Sequence, residues 1–325
     1  GFNVIPTPAL ENVAAAVASY AQSRALVAQQ RASLFPEVGL NLGADRSGGR
    51  STQEQTSYRL SIGGSWEPDL WGRLRAGVTA AGAGAQASAA DLAAARLSAQ
   101  GELAANYFLL RESDAQLALL ATTTEGYQRV AQITQNRFDA GIVAKSDVLQ
   151  ARTQLANAQA DALSLRRQRN QFENAIAILL GKAPADFRLA EAPWTANVPA
   201  IPAGVPSTLL ERRPDIAAAE RRVEAANAQI GIARSAYYPN IGLSGSIGSG
   251  GSRVSDLFSV SNAVWSIGMS VAQSIFNAGA TRAGVAGAEA SHQVAVARYR
   301  QTVLDAFGDV ENQLYAARIL ADQQI

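Results

Sequence analysis

Cysteine is absent from the 325 residues and histidine occurs once, at His292. Without thiols there is no disulfide framework and no thiolate metal site. A single imidazole in a Gln/Ala/Val helical stretch lacks the partners of a zinc or iron centre, so no metal and no cofactor is expected. Ser-His-Asp catalysis would need that same histidine, and no serine stands in a G-x-S-x-G elbow. The glycines of GSIGSGGSR, residues 245–253, precede no G-K-[ST] and read as a hairpin loop, not a phosphate cradle. An excess of charge is missing as well: 28 basic and 27 acidic side chains leave a net charge of +1, which gives nucleic acid nothing to bind. No run of about 18 apolar residues exists, so no transmembrane helix is encoded. The opening GFNVIPTPAL has neither a basic n-region nor an apolar h-region, so the expectation is a cytosolic chain or one whose export signal has been removed. An enzyme is the least supported class.

Proline is missing from two long stretches, between Pro68 and Pro184 and after Pro239, while Pro193, Pro199, Pro202, Pro206 and Pro214 crowd one segment. Helices run long only where proline does not interrupt them. Residues 73–139 are rich in Ala, Leu, Gln and Glu, the stronger helix formers, and predict a helix on the order of 100 Å long. Leu155, Ala158, Ala162, Leu165, Phe172, Ile176 and Leu179 then recur at alternating spacings of three and four, interrupted by Arg169, as a coiled-coil seam does. Between them lies FDAGIVAKSDVL. Gly141 suits the left-handed position after a helix, and Ser146 or Asp147 suits the N-cap of the next. The reading is a long antiparallel helical hairpin with its tip at residues 140–147. The Arg166-Arg167-Gln168-Arg169 run and the ERRPDI segment read as solvated surface.

The chain also repeats itself. RASLFPEVGLNLG at 31–43 and RSAYYPNIGLSGSIG at 234–248 agree in kind when offset by 203 residues, from Pro36 to Pro239. Further on, Arg75-Ala76-Gly77-Val78 returns as Arg282-Ala283-Gly284-Val285, now offset by 207. Helical patterns precede both prolines. Two copies are too few for a solenoid, so the expectation is a duplicated, pseudo-symmetric chain. Its parts are a first repeat over 1–183, a Pro-rich connection over 184–213 and a second repeat over 214–325.

After each proline the period changes to two, predicting β-hairpins at 37–66 and 240–272. Val38, Leu40 and Leu42 alternate with Gly39, Asn41 and Gly43. In the second hairpin Leu243, Ile247, Ile267 and Met269 alternate with Ser244, Ser246, Gly268 and Ser270. Strands of roughly ten residues, apolar on one face and rich in Gly, Ser and Asn on the other, suit either a soluble sandwich or a membrane barrel. Aromatic residues such as Phe35, Tyr58, Trp66, Trp71, Tyr237, Tyr238, Phe258 and Trp265 gather near the strand ends, where membrane girdles sit. Four strands cannot close a barrel, since single-chain barrels begin at about eight, so closure would require other subunits.

The order LFPEVGL, hairpin, SWEPDLWGRLR, long helix, RFDAGIVAKSDVLQAR, return helix, ERRPDI, YYPNIGL, hairpin, FNAGATRAGV resembles the outer membrane factors of tripartite efflux systems. These are TolC-like channels, and the most similar branch is the NodT/OprM-type lipoproteins. The resemblance implies an α+β membrane protein in which three chains each give four strands to a twelve-stranded β-barrel, continued by a periplasmic α-helical tunnel. It implies an outer-membrane location with a periplasmic extension and a passive exit duct for drugs or other small molecules. The implied partners are two further copies, outer-membrane lipid, a periplasmic adaptor and an inner-membrane proton-driven transporter of the RND type. Leu243, Ile247, Ile267 and Met269 would then face lipid, and Ser244, Ser246, Gly268 and Ser270 the lumen. Gly141, Ile142, Val143, Ala144, Ser146 and Asp147 would form the tip that meets the adaptor. That branch carries a lipidated N-terminal cysteine, which a cysteine-free sequence does not supply. The second long helix has about 43 residues after Arg282, against about 66 between Arg75 and Gly141. A fragment ending before its second tip, and so lacking the residues that would close the pore, is the expectation. The alternative is a filament or adhesin subunit, which would share the cysteine-free, Ala/Gln/Ser-rich helical composition.

Overall fold

The computed structural model describes residues 8–49, 52–192 and 212–323. In chain order these hold α1 (Pro8–Ala32), β1 (Glu37–Gly49), β2 (Thr52–Trp66), α2 (Arg73–Asp139), α3 (Lys145–Leu179), α4 (Pro214–Ser235), β3 (Asn240–Gly251), β4 (Ala263–Ala272) and α5 (Ala280–Gln323). Of the Pro-rich connection expected over 184–213, residues 193–211 lie outside the described residues; a short 3-10 turn, Pro184–Asp186, stands at its start. The chain forms two compact units. One contains residues 92–192 with the first turns of α1 up to Val17, the other residues 18–91 and 212–323. This division cuts through α2 and does not follow the repeat.

In the first unit α2 and α3 run antiparallel. Arg152 Nη2 donates to Gln135 Oε1 at 2.9 Å near the tip, and Arg169 Nε donates to Asp114 Oδ1 at 2.6 Å further back. Leu92, Leu110, Ala131, Val148, Ala151, Ala158, Ile176 and Ala177 are the buried apolar residues of this pair. Alanine at so many contact positions lets the helix backbones approach closely. Arg169 corrects the surface reading of its run. Arg166, Arg167 and Gln168 are exposed, but Arg169 is nearly covered and bridges Asp114 and Glu173, while its Nη2 donates to the Leu189 carbonyl. Arg111 completes the cluster through Asp114 and the Ala190 carbonyl, and Glu173 accepts from the Leu189 N–H at 2.6 Å. A seam position filled by arginine is admissible because each buried charge has a partner; truncating one member would strand the others, at a cost of about 3–5 kcal/mol.

In the second unit Arg234 Nη2 reaches Glu289 at 2.8 Å and Arg213 Nη1 reaches Asp309 at 3.1 Å, which sets α4 and α5 antiparallel. Arg222 pairs with Asp91 of α2 at 2.6 Å. The ERRPDI arginine Arg213 therefore ties a helix start to a neighbouring helix. Asp215, one residue into α4, is held below the usual carboxylate range, chiefly by the Arg213 guanidinium. Leu74, Ala80, Ala83, Ala85, Ala87, Ala218, Ala219 and Ala306 are the buried apolar residues of these helices.

Above these helices lies one antiparallel sheet in the order β1-β2-β3-β4. The strands have 13, 15, 12 and 10 residues, so three of them exceed the expected length of about ten. In β3 the added length is rich in glycine. Gly245, Gly248 and Gly250, read from sequence as a hairpin loop, belong to β3. A Cβ on Gly248 would stand 2.5 Å from the Leu60 carbonyl oxygen, so glycine permits a close β2–β3 approach there.

Candidate functional site

Partners directly opposite in a sheet share a face. Leu40 pairs with Ile62, Leu42 with Leu60 and Val38 with Gly64. Ile62 pairs with Ile247 and Trp66 with Leu243. Leu243 pairs with Met269, Gly245 with Ile267, Ile247 with Trp265 and Ile241 with Val271. One face of the whole sheet is thereby apolar, and it includes all four residues grouped from the alternation, Leu243, Ile247, Ile267 and Met269. They are not a hidden core: Ile267 is 83% exposed and Val38, Leu40, Leu42, Ile247, Trp265 and Met269 are exposed with it. Contiguous bare apolar surface on this scale marks contact with a membrane or another protein.

The opposite face is polar and small. Ser244 lies opposite Gly268, Ser246 opposite Ser266 and Gly242 opposite Ser270. The Ser246 and Ser266 hydroxyls stand 2.9 Å apart. Across 38–44, 58–66, 241–249 and 263–271 the one charged residue is Arg59, and it lies on this polar face beside Asp45, at 3.9 Å. On the apolar face charge appears only beyond Ala44 and Tyr58, where Arg46 pairs with Glu54 near the β1–β2 turn. Aromatics bound the apolar stretch of β2, with Tyr58 at one end and Trp66 at the other, about 26 Å apart along the strand. Trp66 Nε1 donates to the Leu34 carbonyl at 3.0 Å.

The junction of β2 with α2 is closely knit. Trp71 stacks on Tyr238 with ring centroids 4.9 Å apart, and its Nε1 donates to the Pro239 carbonyl at 2.7 Å. Asp69 accepts from the Leu74 and Arg75 backbone N–H groups, both at 2.9 Å, and so caps α2. Burial favours the neutral carboxyl and pushes its pKa up, but those two N–H groups and the Arg75 guanidinium outweigh it and hold the carboxyl below its ordinary value.

At the tip, Gly141 has φ of 75°, its N–H bonds the Phe138 carbonyl at 2.8 Å, and the Ile142 N–H bonds the Arg137 carbonyl at 2.9 Å. This pair of bonds is the Schellman closure that a left-handed glycine allows. The N-cap expectation is corrected. Ala144 holds that position with extended backbone and no side-chain cap, and Ser146 and Asp147 lie within the first turn of α3. The Ser146 hydroxyl turns to the Asp147 carboxylate at 3.3 Å instead, and Asp147 acts by its charge near the helix N-terminus. Gly141, Ile142, Ala144, Ser146 and Asp147 are exposed, whereas Val143 is half-buried.

A family model described as outer membrane efflux protein matches residues 10–182 and 205–325. The chain belongs to that family. This outer membrane efflux protein is 34% identical over 301 residues to the solvent efflux pump outer membrane protein SrpC of Pseudomonas putida, covering 90% of the chain and 64% of that relative. It is 30% identical over 317 residues to the pyoverdine export outer membrane protein OpmQ of Pseudomonas aeruginosa, covering 94% of the chain and 66% of the relative. Among solved structures, a membrane protein from Pseudomonas aeruginosa superposes with a TM-score of 0.89 at 31% identity, over 97% of this chain and 75% of that one. The outer-membrane channel OprN superposes with a TM-score of 0.85 at 32% identity, over 96% and 74%. The filament or adhesin alternative finds no support among these relatives. No described helix is long and apolar enough to cross a membrane.

Proposed function

We propose that this outer membrane efflux protein is the exit duct of a tripartite efflux pump. Three copies contribute four strands each to a twelve-stranded barrel in the outer membrane, and their helices continue it as a tunnel through the periplasm. The duct is passive and performs no catalysis, and an inner-membrane proton-driven transporter of the RND type supplies the work through a periplasmic adaptor. Its cargo is drugs or other small molecules. The reading is carried by the register that collects the apolar residues of all four strands on one bare face. Leu243, Ile247, Ile267 and Met269 meet lipid, and Ser244, Ser246, Gly268 and Ser270 line water. An arginine costs roughly 2 to 4 kcal/mol at the midplane of a barrel's lipid face and near zero at its rims. Ile247 lies opposite Ile62, midway between Tyr58 and Trp66, so Ile247→Arg should deplete assembled trimer in the outer membrane, while Ser246→Arg leaves it near the normal amount. Equal tolerance of the two would remove the barrel.

The tip at 140–147 is the adaptor contact in this reading. Ile142 is exposed beside Gly141, and no heavy atom lies within 4 Å of where a Gly141 Cβ would stand, so a side chain there projects outward. Gly141→Arg and Val143→Asp should abolish pump-conferred drug resistance while trimer still reaches the outer membrane in normal amount. Resistance that survives both changes would reduce the tip to a turn.

A further inference from the structure

The two hairpins of the repeat turn differently. β2 follows almost directly on β1, whereas residues 252–262 connect β3 to β4 and include a short 3-10 turn, Val254–Phe258. This connection does not stand away from the sheet. The Asp256 carbonyl accepts from the Ser249 hydroxyl at 3.1 Å, from the Asn262 side-chain amide at 3.2 Å and from the Ser259 N–H at 3.2 Å. A Cβ on Gly251 would collide with the Asp256 Cβ, so glycine there lets the segment lie against the strand. Ser249 stands opposite Leu60 and Gly251 opposite Tyr58, both on the apolar face. The connection is therefore folded back over the apolar face and not over the polar one. Exposure agrees: Tyr58 and Leu60 are half-buried and Leu257 is buried, while Leu40, Leu42 and Ile62 on the same face are bare.

Resting on the barrel reading above, we infer that residues 252–262 are a membrane-interface anchor, which lies on the lipid side of the outer rim and seats Val254, Phe258 and Val260 in outer-leaflet lipid. The outward surface of the segment suits that solvent. Phe258 is 78% and Val260 91% exposed, and Val254 is exposed with them. Across 254–262 the one charged side chain is Asp256, and its carboxylate is turned inward to accept from the Arg253 N–H at 3.0 Å. The surface is continuous with the bare face of β4, which begins at Ala263 and exposes Trp265 and Ile267. Depth gives a second argument. Tilted by about 40°, the stretch from Tyr58 to Trp66 spans only about 20 Å of bilayer, short of the apolar band of about 25 Å that such barrels present. The segment lies just at the Tyr58 end and covers part of Tyr58 and Leu60 with apolar surface of its own, as interfacial segments do at the boundary of headgroups and acyl chains. Folded to this side, it leaves the polar face, and so the outer end of the duct, uncovered.

Spin labels separate the anchor from the barrel. The 325 residues hold no competing thiol. The full chain, purified from outer membranes and reconstituted in vesicles of phosphatidylethanolamine and phosphatidylglycerol, would carry one nitroxide at a time. Ile267→Cys on the apolar face and Ser266→Cys on the polar face serve as lipid and water references. Labels on Phe258→Cys and Val260→Cys should show a ratio of oxygen to water-soluble nickel chelate accessibility several-fold above that of Ser266→Cys and approaching that of Ile267→Cys. Adding Gly251→Val should unseat the segment and move the Phe258→Cys label toward water, with the Ile267→Cys ratio unchanged. A Phe258→Cys label that stays in lipid after that change would overturn the seat on Gly251. If both loop labels match Ser266→Cys while Ile267→Cys reports lipid, the anchor is overturned and the barrel stands. Labels shielded from both reagents would place protein over the segment and overturn the anchor as well. An Ile267→Cys label in water would remove the barrel reading itself.

Discussion

The two copies of the repeat leave their hairpins by junctions that began as the same sequence and now differ. Gly72 and Gly279 occupy equivalent positions and both have left-handed backbone, with φ of 78° and 86°. Around the first glycine, Asp69 caps α2 and Trp71 stacks across to Tyr238. Around the second, Phe276 stands where Asp69 does and Ala278 where Trp71 does, and Ala278 itself is forced to φ of 50°. The polar work has been kept where the chain can use it alone. At the second junction Ile275 and Phe276 are exposed instead, and Ala278 takes a left-handed backbone. Two hairpins paired in the same register thus do not imply identical surroundings.

Removing the ring at the first junction should have the largest effect. Trp71→Ala loses the stack, the bond to the Pro239 carbonyl and half-buried apolar area, about 2 kcal/mol in all, read as a lower denaturant midpoint in detergent. Phe276→Ala should leave that midpoint within about 0.5 kcal/mol and should instead weaken the trimer toward dissociation. Equal loss of folding stability in both variants would erase the contrast.

Asp69→Ala comes next, costing about 1–2 kcal/mol through two orphaned N–H groups at the start of α2. Because the folded carboxyl titrates below its unfolded value near 3.9, its contribution is present above about pH 4 and lost as pH falls through the lower folded value. The stability difference between the parent and Asp69→Ala should accordingly be constant at neutral pH and shrink below about pH 4. A difference that instead grew on acidification would contradict the cap.

The smallest effects concern backbone alone. Gly72→Ala and Gly279→Ala should each cost about 1 kcal/mol, since a left-handed conformation is unfavourable for any residue with a Cβ. Ala278→Gly should act with the opposite sign and gain up to about 1 kcal/mol by relieving that same penalty. Midpoints for the three variants in one denaturant series check the signs directly.

Much of this was legible in the residues. The proline-free run and Gly141 delimit α2 at both ends, and alternation assigns Leu243 and Ser244 to opposite faces without coordinates. What was not legible has physical causes. Ala144 holds the N-cap because the Schellman turn at Gly141 leaves the chain extended there, so proximity of Ser146 and Asp147 to the turn misleads. Arg169 looks like surface beside two exposed arginines, since only the fold brings Asp114, 55 residues away, to meet it. The β3 glycines resemble a loop because glycine signals turns locally, whereas here it serves a close approach of strands distant in sequence. The pairing of β2 with β3 leaves no mark on either strand alone.

That pairing has a consequence for the order in which the molecule can be made. β1 and β2 are separated by only two residues in sequence, and such hairpins close in roughly 1–10 μs. Ile62 and Ile247, by contrast, close a loop of roughly 185 residues. Because the entropy of closing a loop rises only by about 0.6 kcal/mol per doubling of its length, the intervening helices can be lengthened or shortened with little thermodynamic penalty. The kinetic constraint is stricter: during synthesis β2 must remain unpaired on one side until α2, α3 and α4 have emerged. Until then its open edge can pair with other chains and needs protection from them.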